Sequence, residues 1–237
     1  MHRLEVIGIE GIGEIGPGDD LAGIIALAAS ATDVGVVDHD VVVVTQKIVS
    51  KAEDRMVRID PGDPRGHRPI VESESVRVLR RRGDLVIAET AHGFVCANAG
   101  VDLSNVDEGW AALLPVDSDR SARRIRDGLR ARTGAEVGVI VSDTFGRTWR
   151  RGLTDVAIGC AGIAAVVDLR GTQDDRGRDL AVTEVAVVDE LAGAAELVMG
   201  KAEGVPVAVI RGVERSWFRR SDVRSEIVRR PQEDLFR

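Results

Sequence analysis

The stretch VIVSDTFGRTWRRG, residues 139–152, places a carboxylate, hydroxyls and three arginines directly after an apolar run. The β-branched residues 137–141 read as a buried strand, which stops at Ser142, Asp143 and Thr144. Gly146, Arg147, Arg150 and Arg151 follow, with Thr148 and Trp149 between them. Asp143 beside the Thr144 hydroxyl offers the hard oxygen donors that Mg²⁺ or Mn²⁺ takes. Guanidiniums suit phosphate or carboxylate oxygens, so Arg147, Arg150 and Arg151 could clamp an anion. The competing reading makes Asp143 the cap of the next turn and the arginines a solvated basic face. Spacing alone leaves both open.

Three other places combine polar groups with strand ends or loops. In GVDLSNVDEG, Asp102 and Asn105 stand three residues apart, so one could ligate a metal while the other reads a base or phosphate. An Asx-rich turn explains the same residues. After the run Val41 to Val44 come Thr45, Gln46 and Lys47, then Lys51. A lysine just past a buried strand is well placed for nucleotide phosphate, though it also suits a strand end reaching solvent. No GxxxxGK[ST] motif occurs. The glycine loop 11–18 could hold phosphate or a base edge on backbone amides. His39, His67 and His92 are scattered, and Cys96 and Cys160 lie in apolar runs that read as core. Asp168 and Glu184 serve equally as extra ligands or surface groups.

These residues need a scaffold, and the chain can build one. Its 237 residues, 44% hydrophobic, suffice for a sizeable core. No apolar run approaches the roughly 20 residues of a membrane span, and no signal-peptide pattern opens the chain. Two cysteines make no disulfide framework or zinc spacing, so the cytoplasm is the expected location. A net charge of −7, 3% aromatic residues and no tyrosine argue against nucleic acid. Strands are expected at residues 4–9, 41–44, 84–89, 94–97, 137–141, 153–161, 164–169 and 205–210. Helices are expected at 21–31, 70–82, 117–132, 183–199 and 221–230, and a loop at 54–69. Hairpins intrude on the alternation of strand and helix, which predicts an α+β fold, or mixed α/β, as one unit over 1–237.

Taken together the segments resemble the coenzyme F-420:L-glutamate ligase family, the gamma-glutamyl ligases of the deazaflavin coenzyme. The resemblance rests on IEGIGEI (9–15), VVVVTQKIVSKAEDR (41–55), GFVCANAGVDLSNVDEG (93–109), VIVSDTFGRTWRRG, AIGCAGI (157–163) and GRDLAVTEVAVVDELAGAAELVMGKAEGVPVAVIRG (177–212). It implies a two-lobed α+β fold in an intertwined homodimer. It implies GTP-dependent addition of L-glutamate to the precursor's lactyl carboxylate through an acyl phosphate, with GDP and phosphate released and further gamma-linked glutamates to follow. Two Mg²⁺ or Mn²⁺ ions per site are implied, with K⁺ as a further cation. By resemblance Asp102 and Asp143 share one metal, Thr144 holds a second, and Glu203 is the candidate for another acid on that second ion. Ile12, Gly13, Glu14, Ile15, Gln46, Lys47, Lys51, Asn105 and the stretch Met199, Gly200, Lys201, Ala202, Glu203 and Gly204 fall where the family holds GTP. Asp143, Arg147, Arg150 and Arg151 are the catalytic candidates. Actinobacterial members carry the region fused to a C-terminal flavin-binding domain. Two other readings keep these residues: a ligase for another acidic acceptor, and a non-catalytic nucleotide-binding domain.

Overall fold

The structure is a computed structural model describing residues 3–60, 62–63 and 65–236. In chain order its elements are β1 (Glu5–Gly8), α1 (Leu21–Ser30), β2 (Val41–Thr45), α2 (Gln46–Ala52), β3 (Met56–Arg58) and α3 (Arg68–Glu74). Then come β4 (Ser75–Arg82), β5 (Leu85–Thr90), β6 (Val95–Ala97), β7 (Trp110–Ala112), α4 (Ser118–Thr133), β8 (Gly138–Gly146) and β9 (Leu153–Ala161). The chain closes with β10 (Val167–Asp168), β11 (Glu184–Val185), α5 (Val187–Met199), β12 (Val207–Arg211) and α6 (Val223–Glu226). The fold is α+β, as expected. Among the described residues no helix is long and apolar enough to cross a membrane.

The main sheet runs β1-β12-β2-β8-β9. Its central pair, β2 and β8, is parallel, and every other pairing is antiparallel. The run Val41 to Val44 is fully buried because both sheet faces are covered. Alternation divides it: Val42 and Val44 face α1 and α4, while Val41 and Val43 face α5. A smaller lobe, β4-β5-β6 with α3, has its own small core of Val71, Val86, Ala88 and Ala99.

Helix α4 begins where Asp117 accepts the Arg120 N–H at 2.8 Å and ends at Gly134, whose φ of 75° suits glycine. Removing that cap by Asp117→Ala is expected to cost about 1 kcal/mol, read as a small drop in melting temperature. The start of α4 lies so close to β9 that a Cβ on Gly159 would sit 2.3 Å from the Ser118 carbonyl carbon.

Four expectations are corrected. Residues 70–82 are not one helix: α3 ends at Glu74, and β4 pairs with β5 through a turn at Gly83. The alternation of Val76 and Val78 with charged residues is a hairpin pattern, and pairing outweighs helix propensity there. The strand expected at 164–169 shrinks to β10, and the helix expected at 221–230 to α6, capped by Asp222. The segment after β2, given no element from the sequence, is α2, which carries Lys47 and Lys51 four residues apart on one face. Strand β8 continues through the polar residues to Gly146, because β9 supplies ladder partners all the way. Pro61 and Pro64 of the loop expected at 54–69 lie outside the described residues, and β3 occupies part of the rest.

Candidate functional site

Strands β2 and β8 run side by side with Thr45 opposite Ser142, so their carboxyl ends open at one edge of the sheet. That edge is the usual place for a ligand in an open α/β sheet. Helix α2 leaves it from β2, and Asp143 and Thr144 continue it on β8. The loop bearing Asp102 approaches through a two-way backbone bridge to Ala112, at 2.9 and 2.8 Å. This loop is held under strain: Asn98, Ala99 and Asn105 all adopt positive φ, between 49° and 52°. Non-glycine residues pay for that conformation, and such strain collects where side chains must be aimed.

Two acid–lysine pairs define the edge. Lys47 Nζ meets Asp102 Oδ2 at 2.8 Å and also donates to the Ser104 carbonyl at 2.6 Å. Burial would raise the Asp102 carboxyl, but the bonds from Lys47 and the Ser104 amide outweigh it and hold the group low. The second pair was not legible in the sequence. Asp155 on β9 is 3% exposed and stands opposite Thr144 in the ladder. It accepts Thr144 Oγ1 at 2.6 Å, Ser142 Oγ at 3.1 Å and Lys201 Nζ at 3.0 Å. Lys201 also donates to Thr144 Oγ1 and pairs with Glu196 at 3.1 Å. Burial lowers its ammonium, yet Asp155 and then Glu196 more than compensate and raise it.

Asp143 has no such ion pair among the described residues. Burial pushes its carboxyl up to about 7, and the charges of Asp102 and Asp155 add to the rise. The Thr144 backbone N–H and the more distant Lys47 oppose it. An acid kept this hungry for positive charge lies where a cation would be welcome. Cys96 is pushed up to about 12, by burial first and Asp143 second, so it is a core thiol and no nucleophile.

The other expected site residues divide. Asn105 Nδ2 donates to the Lys201 carbonyl at 3.0 Å, which joins the Asp102 loop to the loop after α5. Lys51 pairs with Glu14 of the glycine loop. Ile15 and Met199 are buried, and Ile12 packs half-buried against the core, so their side chains are spent on packing. Gln46 spends its amide on Ser50 Oγ at 2.6 Å and the Leu113 carbonyl at 2.9 Å. Glu203 is exposed and has no polar partner among the described residues. Arg147 folds back on its own hairpin, donating to the Arg151 carbonyl at 2.6 Å, while the Arg150 and Arg151 side chains have no polar partner among the described residues. Trp149 at that hairpin tip is exposed. Asp168 and Glu184 pair with Arg170 on the β10–β11 ladder. A cavity of about 630 Å³ lies between α1, α2 and α4; of the expected site residues only Gly18, at the end of the glycine loop 11–18, lines it. The charged groups converge instead at the sheet edge.

A mixed sheet whose parallel strands end beside carboxylates, hydroxyls and lysines has the architecture of a ligand-binding α+β protein, with its site outside the strands' carboxyl ends. The chain matches the family model described as F420-0:Gamma-glutamyl ligase over residues 10–212. It is 44% identical to the coenzyme F420:L-glutamate ligase of Methanothermobacter thermautotrophicus, over 99% of both chains. It is 40% identical to the protein of that name in Methanopyrus kandleri, over 99% of this chain and 97% of that one. The Methanococcus maripaludis protein of the same name is 36% identical, over 99% and 98%. The chain belongs to the F420-0:gamma-glutamyl ligase family, and it is an enzyme of the ligase class.

Proposed function

We propose that this enzyme joins L-glutamate to the deazaflavin coenzyme precursor F420-0, with GTP as the activating co-substrate. The observation that carries the reading is the edge at which Asp102–Lys47 and Thr144–Asp155–Lys201 converge within electrostatic reach of Asp143. The names of the end-to-end relatives supply the acceptor and the amino acid.

The donor set fits divalent ions. Asp102, Asp143 and Thr144 are hard oxygen donors, and lysine ammoniums already stand against Asp102 and Thr144 as monovalent stand-ins. Among the described residues no three His, Cys, Asp or Glu side chains converge as a complete metal-binding group. This suits Mg²⁺ or Mn²⁺, which keeps water and phosphate oxygens in its shell. Two such ions, with K⁺ as a further cation, would neutralise the triphosphate and align the reacting oxygens. Asp102 and Asp143 would share the first, and Thr144 would hold the second.

In this reading a carboxylate oxygen of the precursor bonds to the γ-phosphorus as the bridging P–O bond breaks. GDP leaves and an acyl phosphate remains. The glutamate nitrogen then bonds to the acyl carbon, the C–O bond to phosphate breaks, and phosphate and a proton depart. Lys47 and Lys51, one turn apart on α2, supply positive charge to the nucleotide phosphates. Asn105 and the 199–204 loop bound the nucleotide, with Glu14 and the glycine loop behind Lys51. Arg147, Arg150 and Arg151 attract the acidic substrates. A cytoplasmic homodimer belongs to the same proposal, as does the addition of further gamma-linked glutamates.

Incubation with GTP, Mn²⁺, L-glutamate and F420-0 is expected to add one glutamyl residue for each GDP formed, followed by mass spectrometry. No glutamate-dependent mass increase overturns the ligase reading. A mass increase with ATP alone overturns the assignment of GTP.

A further inference from the structure

Three oxygens from three elements surround one positive charge at the sheet edge. Lys201 Nζ donates to Thr144 Oγ1 of β8, and lies 3.0 Å from Asp155 Oδ1 of β9 and 3.1 Å from Glu196 Oε1 of α5. That is the shell of a cation, with an ammonium as its occupant. Asp155 is almost wholly buried, so the empty protein needs a countercharge there.

The occupant is loosely held from behind. Lys201 lies past the end of α5, outside any regular element, and its side chain is 53% exposed. Gly200 at φ 60° and Gly204 at φ 69° bracket the segment and offer rotations that other residues resist. One further tie, the 3.0 Å bond from Asn105 Nδ2 to the Lys201 carbonyl, links it to the Asp102 loop. Lys47 contrasts with it, being fixed within helix α2.

We propose that Lys201 is a tethered place-holder: its ammonium fills the Thr144–Asp155–Glu196 position in the empty protein and yields it to an entering divalent cation. Charge favours the exchange. Asp155, Glu196 and Lys201 together carry a net negative charge, which a divalent ion in place of the ammonium cancels. Departure of Lys201 frees residues 200–204 and loosens the Asn105 tie, so the cation prepares the segment that meets the nucleotide. The inference takes from the proposed function only the identity of the cation.

Two measurements test it without turnover. Trypsin cuts after Lys201, so cleavage there, followed by mass spectrometry of wild-type protein, is expected to accelerate several-fold when Mn²⁺ is added. Lys201→Gln removes the competitor, so Mn²⁺ titrated by electron paramagnetic resonance is expected to bind about tenfold tighter, as when a competing state is removed. Adding Asp155→Asn should abolish that gain. Cleavage indifferent to Mn²⁺, or binding to Lys201→Gln no tighter than to wild type, overturns the proposal. Protein that shows the exchange yet ligates nothing overturns the ligase reading and leaves the place-holder standing.

Discussion

Asp143→Asn is expected to abolish ligation and, in the absence of divalent cations, to make the protein more stable. In the proposed site Asp143 shares a cation with Asp102, so its loss would remove charge stabilisation at the reacting phosphate, an effect of about 10³-fold or more. The gain in stability follows from the carboxyl's position. In the folded protein it titrates at about 7, against 3.8 in the unfolded chain. The folded state therefore binds the proton more tightly, and the stability this group contributes is fully present only below about 4. It is lost as pH rises from about 4 to about 7, and above 7 the buried charge costs a few kcal/mol. Asparagine does not ionise and escapes that cost. At pH 8 without metal the variant should melt several degrees above wild type, and the difference should shrink at pH 5. Mg²⁺ should raise the melting temperature of wild type by mass action and move the variant far less. A variant that melts lower at pH 8, or retains ordinary turnover, removes Asp143 from the cation site.

That prediction shows how far the sequence could be read. Asp143, Thr144 and Asp102 are visible because each follows an apolar run with a change of character. Their convergence needs the parallel pairing of β2 with β8, the bridge from Asp102 to Ala112 and the reach of Lys47 from α2, none of which a local pattern encodes. Asp155 was hidden by its surroundings. It sits in the strand 153–161, expected on apolar content, and only the β8–β9 register puts it opposite Thr144. Lys201 could be assigned to a nucleotide-contacting stretch by resemblance, but its grip on Asp155 and Glu196 depends on the end of α5 reaching β8 and β9. The helical reading of 70–82 failed for a related reason. Both faces of β4 are largely solvated, so its alternation carries little hydrophobic signal, and the partner strand decides the conformation. Elements with buried faces were legible, whereas long-range register and exposed hairpins were not.

Asp119→Ala is expected to cost about 3–5 kcal/mol, far more than a lost helix cap. Asp119 stands in the first turn of α4 beside the capping Asp117, and a cap is worth about 1 kcal/mol. In the structure Asp117 alone caps. Asp119 is buried and accepts backbone N–H groups from Cys160 at 2.8 Å, Val223 at 2.9 Å and Arg224 at 3.2 Å. One side chain thus joins α4 to the end of β9 and the start of α6, beneath a core that contains Cys160 and Val223. Alanine would leave these donors without acceptors, at about 1–3 kcal/mol for each buried group. Burial pushes the Asp119 carboxyl up even with three donors, and Asp222 adds to the rise. What the three backbone N–H groups require is an acceptor oxygen. Asp119→Asn keeps one oxygen for Cys160 and Val223, so it should recover most of the loss. Urea unfolding should show a large fall in midpoint for alanine, an unchanged slope, and a small fall for asparagine. A fall for alanine no larger than that of Asp117→Ala would return Asp119 to the role of a cap.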